Sequence, residues 1–272
     1  MKPIVLLVIF SLFFSEAFSQ GKIDGFYRGK GNATAVVGLG FEDGKNYFAG
    51  TEKTDISKSL YYVNLYGAYG ITDNLDVAVA LPYLSSNKNN GLQDISIFLK
   101  HLIYQKNTES GSFQVTLGAG FSTPVSDYDI GGLNDIGQQA TVFEGRALAH
   151  YFWKTGWFAT VQSGYSLKLE ETPNSIPATL KVGKAMAKWY YDFYYDYQHS
   201  FGGIDYLGTP APQNFKEFGS DYHKVGGSVY TSFSENFGAF INLSYTLAGR
   251  NTFQGQGYGV GVVYNIKKKE RN

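Results

Sequence analysis

The sequence predicts an all-β chain, a single transmembrane antiparallel up-and-down β-barrel of about twelve strands. Three observations predict it: Gly and aromatic residues dominate, apolar and polar residues alternate with a period of two, and the connections switch between short and long. Composition sets the class, with 33 Gly, 22 Tyr and 21 Phe. Helices disfavour Gly and aromatic residues, whereas strands favour aromatics and close-packed barrels use Gly. No Cys is present, which excludes disulfide staples, Cys-based zinc sites and dithiol redox chemistry. Lys plus Arg number 23 and Asp plus Glu 23, a balance that gives no pull toward nucleic acid or a strongly charged partner.

Residues 1–19 read as a secretory signal peptide. Lys2 gives a positive start, residues 4–14 are almost wholly apolar, and Ala17-Phe18-Ser19 places small side chains at the usual cleavage spacing. As a helix that apolar run reaches only about 16 Å against roughly 30 Å of hydrocarbon, too short for an anchor. Residues 20–272 then form the barrel, exported to the outer membrane.

Period-two alternation predicts strands at 32–41, 59–70, 75–84, 92–103, 113–123, 139–153, 157–169, 178–187, 190–203, 223–233, 237–248 and 256–266. Tight turns are expected at Ile71-Thr72-Asp73-Asn74, Lys154-Thr155-Gly156, Lys188-Trp189 and Ser234-Glu235-Asn236, with a longer one at 105–112. The intervening connections, at 42–58, 85–91, 124–138, 170–177, 204–222 and 249–255, are longer and polar. Short turns at one rim, long loops at the other and both termini on the short-turn side are the pattern of outer-membrane barrels.

Parity then assigns faces. Leu75, Val77, Val79 and Leu81 make one apolar stripe; Phe113, Val115, Leu117, Ala119 and Phe121 another; Phe237, Ala239, Ile241, Leu243, Tyr245 and Leu247 a third. A half-buried sandwich strand alternates in the same way. Aromatic residues at the stripe ends, Tyr69, Tyr83, Tyr151, Trp153, Trp157, Tyr197 and Tyr264, favour two interfacial girdles and therefore a membrane. The opposite parity carries the lumen-facing candidates: Lys100, Glu144, Arg146, His150, Lys168, Lys181, Asp192, Asp196 and Lys224. A two-residue turn at 188–189 sets Lys181 opposite Asp196, a cross-strand pair worth roughly 0.2–1 kcal/mol. Lys184 falls on the lipid parity, where it must snorkel, sit at the rim or mark a bulge.

Tyr69-Gly70-Ile71-Thr72-Asp73-Asn74-Leu75-Asp76-Val77, followed by Leu81-Pro82-Tyr83, resembles a hairpin of the outer-membrane barrel family labelled MetA-pathway of phenol degradation. Three further segments are similar to that family: Gly91-Leu92-Gln93-Asp94-Ile95 leading to Leu99-Lys100, then Phe121-Ser122-Thr123-Pro124, then Gly249-Arg250-Asn251-Thr252. The resemblance implies an outer-membrane transporter and, by association with the label, an apolar aromatic solute. The chain departs from the common terminal aromatic by ending on Lys267-Lys268-Lys269-Glu270-Arg271-Asn272.

Catalytic patterns are missing from the sequence. None of His101, His150, His199 and His223 sits in a G-x-S-x-G context or at a recognisable spacing from Ser. His150 is expected to point inward near Glu144 and Arg146, with His101 and His199 outward. The loop Ser126-Asp127-Tyr128-Asp129-Ile130-Gly131-Gly132-Leu133-Asn134-Asp135 gathers carboxylates but lacks the closing Glu of a calcium loop. Asn32-Ala33-Thr34 and Asn242-Leu243-Ser244 match the glycosylation sequon but fall in expected strands. Gly255-Gln256-Gly257-Tyr258-Gly259 has no following helix to make it a phosphate loop; its alternating glycines would let inner-face backbones pack closely. The expectation is a non-enzymatic barrel without cofactor or metal, in contact with outer-membrane lipid, that conducts a small hydrophobic or aromatic solute. The alternative is a non-conducting surface scaffold or adhesin.

Overall fold

A computed structural model describes residues 23–86, 89–130, 132–209 and 215–268. The expected leader at 1–19 and the end of the basic tail lie outside the described residues. Twelve long strands close the barrel: β1 (Ala33–Ala49), β3 (Lys58–Gly70), β4 (Leu75–Ser86), β6 (Asp94–Asn107), β7 (Gly111–Pro124), β8 (Val142–Trp153), β9 (Trp157–Lys168), β10 (Ser175–Ala185), β11 (Trp189–Ser200), β12 (Asp221–Ser232), β13 (Phe237–Arg250) and β14 (Thr252–Ile266). Two three-residue strands, β2 (Glu52–Thr54) and β5 (Asn90–Leu92), fold back on β1 and β4 at the long-loop rim. Each long strand pairs antiparallel with the next, and β14 returns to β1 from Ala33 opposite Ile266 to Phe48 opposite Thr252. Closure removes the unpaired backbone edge, as spanning a bilayer requires. Among the described residues no helix is long and apolar enough to cross a membrane.

Alternation puts the apolar stripes outside. On β13, Phe237, Ile241, Leu243 and Leu247 are exposed while Gly238, Phe240, Asn242 and Thr246 turn inward. Trp157 and Tyr191 meet edge-to-face at 6.0 Å on the short-turn girdle, with Tyr151–Trp153 and Phe237–Tyr264 pairs beside them. Lys184 resolves to the rim: it stands opposite Trp157 and its Nζ lies 5.5 Å from that ring.

Several connections differ from expectation. The loop expected at 42–58 is mostly strand, because β1 stays paired to β14 as far as Phe48. The one expected at 249–255 shrinks to a turn at Asn251, whose φ is +48°. Longer excursions remain at 125–141 and 201–220. On the short-turn side the connection expected at 105–112 tightens to 108–110, because β6 and β7 pair down to Asn107 opposite Ser112.

The packed core sits inside the barrel at the short-turn end. Phe26 joins Val36, Phe158, Tyr190, Tyr230, Phe240 and Val263 there, and Ile23 packs with Phe98 and Leu148. Ile23 and Phe26 precede β1, so residues 23–28 run within the barrel they introduce, and residues 29–31 cross its short-turn rim, where Lys30 is exposed and its N–H bonds Asp73.

Candidate functional site: a plugged lumen with a chamber above it

The inner segment is fastened by charge, hydrogen bonds and rings. Asp24 Oδ1 accepts from Lys100 Nζ at 2.7 Å and from its own chain's Phe26 N–H. Lys100 also donates to the Phe26 carbonyl and stands 3.6 Å from Asp76 Oδ2. Asp76, 2 % exposed, accepts the Arg28 N–H at 3.1 Å. Gln162 donates to the Ile23 carbonyl, and Tyr27 and Thr116 share a 2.7 Å hydrogen bond. The Phe26 ring meets His150, Phe158 and Tyr190 edge-to-face at 4.9, 5.2 and 6.3 Å. Gly25 passes over the His150 imidazole so closely that any Cβ would collide with the ring. A buried cation between two buried carboxylates is stable only while all three stay together, so the segment is a plug held by mutual compensation.

The nine candidates divide between this plug and the space above it. Lys100 belongs to the plug. His150 is 1 % exposed and its Nδ1 bonds Thr160 Oγ1 at 2.7 Å, so its partners are Thr160 and Phe26 in place of the expected Glu144 and Arg146. The Lys181 to Asp196 pair does not form. The turn spans 186–188, closed by Met186 N–H on the Trp189 carbonyl, so the register slides by two and sets Lys181 opposite Tyr194 and Thr179 opposite Asp196. Asp196 instead accepts from Thr179 Oγ1 at 2.6 Å. Lys181 approaches Asp192 at 3.8 Å, and Asp192 also accepts from Tyr190 and the Ser228 N–H.

Glu144, Arg146, Lys168, Asp196 and Lys224 line a chamber of about 520 Å³ toward the long loops. Arg146 pairs with Glu144 and donates to Gln162 Oε1 at 3.2 Å, while Ser166 donates to Glu144 Oε2. Lys224 reaches Glu42 at 3.3 Å, although β12 and β1 are separated by two strands. A Cβ on inward Gly257 would strike Ser244 Oγ and only touch Glu42, so the glycine makes room for the serine. Gly261 likewise lies under the Phe240 ring. The expected close backbone approach holds at Gly255, where a Cβ would strike the Asp43 carbonyl, while Gly257 and Gly261 clear space for the Ser244 and Phe240 side chains.

The loop at 125–141 folds over the long-loop mouth. Lys58 Nζ donates to the Asp135 carbonyl at 2.5 Å, Ser86 to Asn134 and Asn89 to Asp129, from one side of the barrel. Gln138 bridges to the other side, donating to the Phe218 carbonyl at 3.3 Å and accepting from Lys168. Tyr128, within this loop, is buried and donates to Asp94; burial first, and the nearby carboxylate second, push its hydroxyl pKa well up. Among the described residues no three potential metal ligands gather, here or elsewhere. Sequence reasoning missed Asp24, Phe26, Arg28, Asp76 and Glu42. One available signal was the inward parity of Asp76 beside Lys100.

A closed antiparallel sheet with an apolar outer face, aromatic rims and a polar interior defines a transmembrane β-barrel of the outer-membrane class. Within it the chain belongs to the family described as MetA-pathway of phenol degradation, whose model matches residues 22–261. Solved structures of the same fold include an outer membrane channel from Pseudomonas putida F1, 13% identical over 90% of this chain and 99% of that one, with a TM-score of 0.72. The NanC porin is also similar at 11% identity, with 85% and 98% of the two chains covered and a TM-score of 0.57. The KdgM porin gives 9% identity, 86% and 99% coverage and a TM-score of 0.52. No curated protein matches the chain.

Proposed function

We propose that this chain is an outer-membrane channel that admits a small solute from its long-loop mouth, and whose periplasmic exit its own N-terminal segment holds shut. The observation that carries the reading is a series of cavities sharing walls. A space of about 170 Å³ under the mouth shares Glu42, Tyr222, Lys224 and Ser244 with the 520 Å³ chamber. The chamber shares Tyr66, Ala78 and Phe98 with a crevice of about 10 Å³ between the plug and β3, β4 and β6. The line opens from the mouth into the chamber and then shrinks to the crevice, which Ile23, Arg28 and Lys100 line. A barrel of this strand number leaves a narrow lumen, so a short inner segment suffices to block it. An adhesin would present its longest loops outward, whereas the loop at 125–141 is tied down across the mouth by Lys58, Ser86 and Asn89. The outer-membrane barrels of similar fold are channels and porins, which supports the same reading.

Planar-bilayer recording on the full chain and on a variant lacking residues 23–31 tests this. The full chain should show rare or small openings and the shortened one openings several-fold larger. Two folded proteins that both fail to conduct would end the channel reading.

A further inference from the structure

The short-turn rim carries its charge unevenly. On the arc from β6 to β11, Lys106, Lys154, Lys184 and Lys188 stand at strand ends or in turns, and among the described residues none is paired with a carboxylate. The turns of this arc, 108–110, 154–156 and 186–188, hold a single acid, Glu109. On the opposite arc the lysines have acids beside them: Lys267 pairs with Glu235 at 3.2 Å, and the Lys30 N–H donates to Asp73 at 2.9 Å. All three tryptophans of the chain, Trp153, Trp157 and Trp189, lie on the lysine-rich arc and are exposed.

Backbone bonds join these turns into one ledge. Gly156, at φ +86°, takes a conformation that side-chain-bearing residues avoid. Its carbonyl accepts the Ala185 N–H at 2.8 Å, and a Cβ on it would lie 2.6 Å from the Ala185 carbonyl, so the Lys154 turn is laid directly against the end of β10. On one side the Lys154 N–H donates to the Ser110 carbonyl; on the other the Lys188 carbonyl accepts from Ser232. Lys184 stands opposite both Trp157 and Tyr191, whose rings meet edge-to-face at 6.0 Å across it. With its ammonium 5.5 Å from the Trp157 ring centre, Lys184 is held at the level of the girdle.

That level decides what the lysines meet. Indoles settle where hydrocarbon gives way to headgroups, and short turns face the periplasm, so these ammonium groups lie among the phosphates of the inner leaflet. A zwitterionic headgroup brings its own cation, which the lysines repel. A net-negative headgroup offers phosphate without that opposition. We propose that the β6–β11 arc binds anionic phospholipid of the phosphatidylglycerol type in preference to zwitterionic lipid, with Lys154, Lys184 and Lys188 on the phosphate and the tryptophans against the glycerol and upper acyl chain. The site lies on the outside of the barrel and does not depend on whether the lumen conducts.

The tryptophans supply the readout, because a brominated acyl chain quenches indole fluorescence on contact. The full-length protein is placed in phosphatidylcholine vesicles in which a rising fraction is replaced by brominated phosphatidylglycerol or brominated phosphatidylcholine. Each lysine beside an anionic headgroup is worth about fivefold in association, so phosphatidylglycerol should reach half-maximal quenching at a mole fraction at least about fivefold lower. Salt at about 0.5 M should remove most of that advantage. Lys154→Gln, Lys184→Gln and Lys188→Gln combined should abolish it, whereas Lys267→Gln with Lys268→Gln on the opposite arc should leave it intact. If the triple variant fails to fold, Lys188→Gln alone, expected to reduce the preference severalfold, carries the test. Equal quenching by the two lipids would overturn the proposal and leave the exposed lysines for an acidic periplasmic protein. So would a folded triple variant with undiminished preference, or an opposite-arc variant that loses as much as the triple.

Discussion

The two halves of the lumen are walled by the same strands and differ in how their charges are satisfied. In the short-turn half, Lys100 sits between Asp24 and Asp76 with side chains 3–11 % exposed, sealed by Phe26 and its ring of aromatics. In the long-loop half, Lys168 and Lys224 reach their partners at 3.3 Å across an open chamber and are only partly buried. The same residue type is thus a fastener at one level and a wall at the other. The difference teaches that the plug is held by desolvated compensation, which fails all at once, whereas Lys168 and Lys224 tolerate rearrangement; the chamber's Glu144–Arg146 pair, with side chains 4–6 % exposed, is held as the plug is.

The strongest test of that contrast is Lys100→Met. Two buried carboxylates would lose their cation, so a loss of about 3–5 kcal/mol is expected, read as a lowered midpoint in heat-dependent gel mobility and as enlarged conductance. Adding Asp24→Asn should recover part of it. A midpoint within error of the parent would show that the cluster does not hold the plug. An intermediate effect is expected for Gly25→Val, whose side chain must enter the His150 ring, at about 1–3 kcal/mol of overpacking. His150→Ala in the same chain should relieve it; if the double variant is worse than either single one, the contact has been misassigned. The smallest effect belongs to Lys168→Met on the chamber wall, expected below about 1 kcal/mol because the group is partly hydrated. A cost equal to that of Lys100→Met would erase the distinction between the halves.

What the sequence made legible follows the same division. Strands such as Phe237-Gly238-Ala239-Phe240-Ile241 declare themselves, because lipid demands an apolar residue at every second position and the pattern repeats for twelve strands. Lumen parity is therefore readable, and all nine candidates are on inward positions. Register is harder. Met186 and Ala187 continue the alternation of β10 into the turn, and nothing local marks where pairing stops. The plug is harder still, since Ile23-Asp24-Gly25-Phe26-Tyr27-Arg28 has neither period and resembles a linker. Its partners hint at it, because the expected lumen set held five bases against three acids. An interior that cannot hydrate such an excess requires further carboxylates, and Glu42, Asp76 and Asp24 supply them.

The position of the inner segment in the chain bears on how the molecule assembles. The seam joins Ala33 to Ile266, the two ends of the sheet, and contacts so distant in sequence form late. Residues 23–31 immediately precede Ala33, so they need never be threaded into a finished cylinder: the sheet can roll up around them like a scroll around its rod. A chain shortened at its start has to complete the last turn of that scroll over an empty centre, so its refolding yield reports on the rod as directly as its current does.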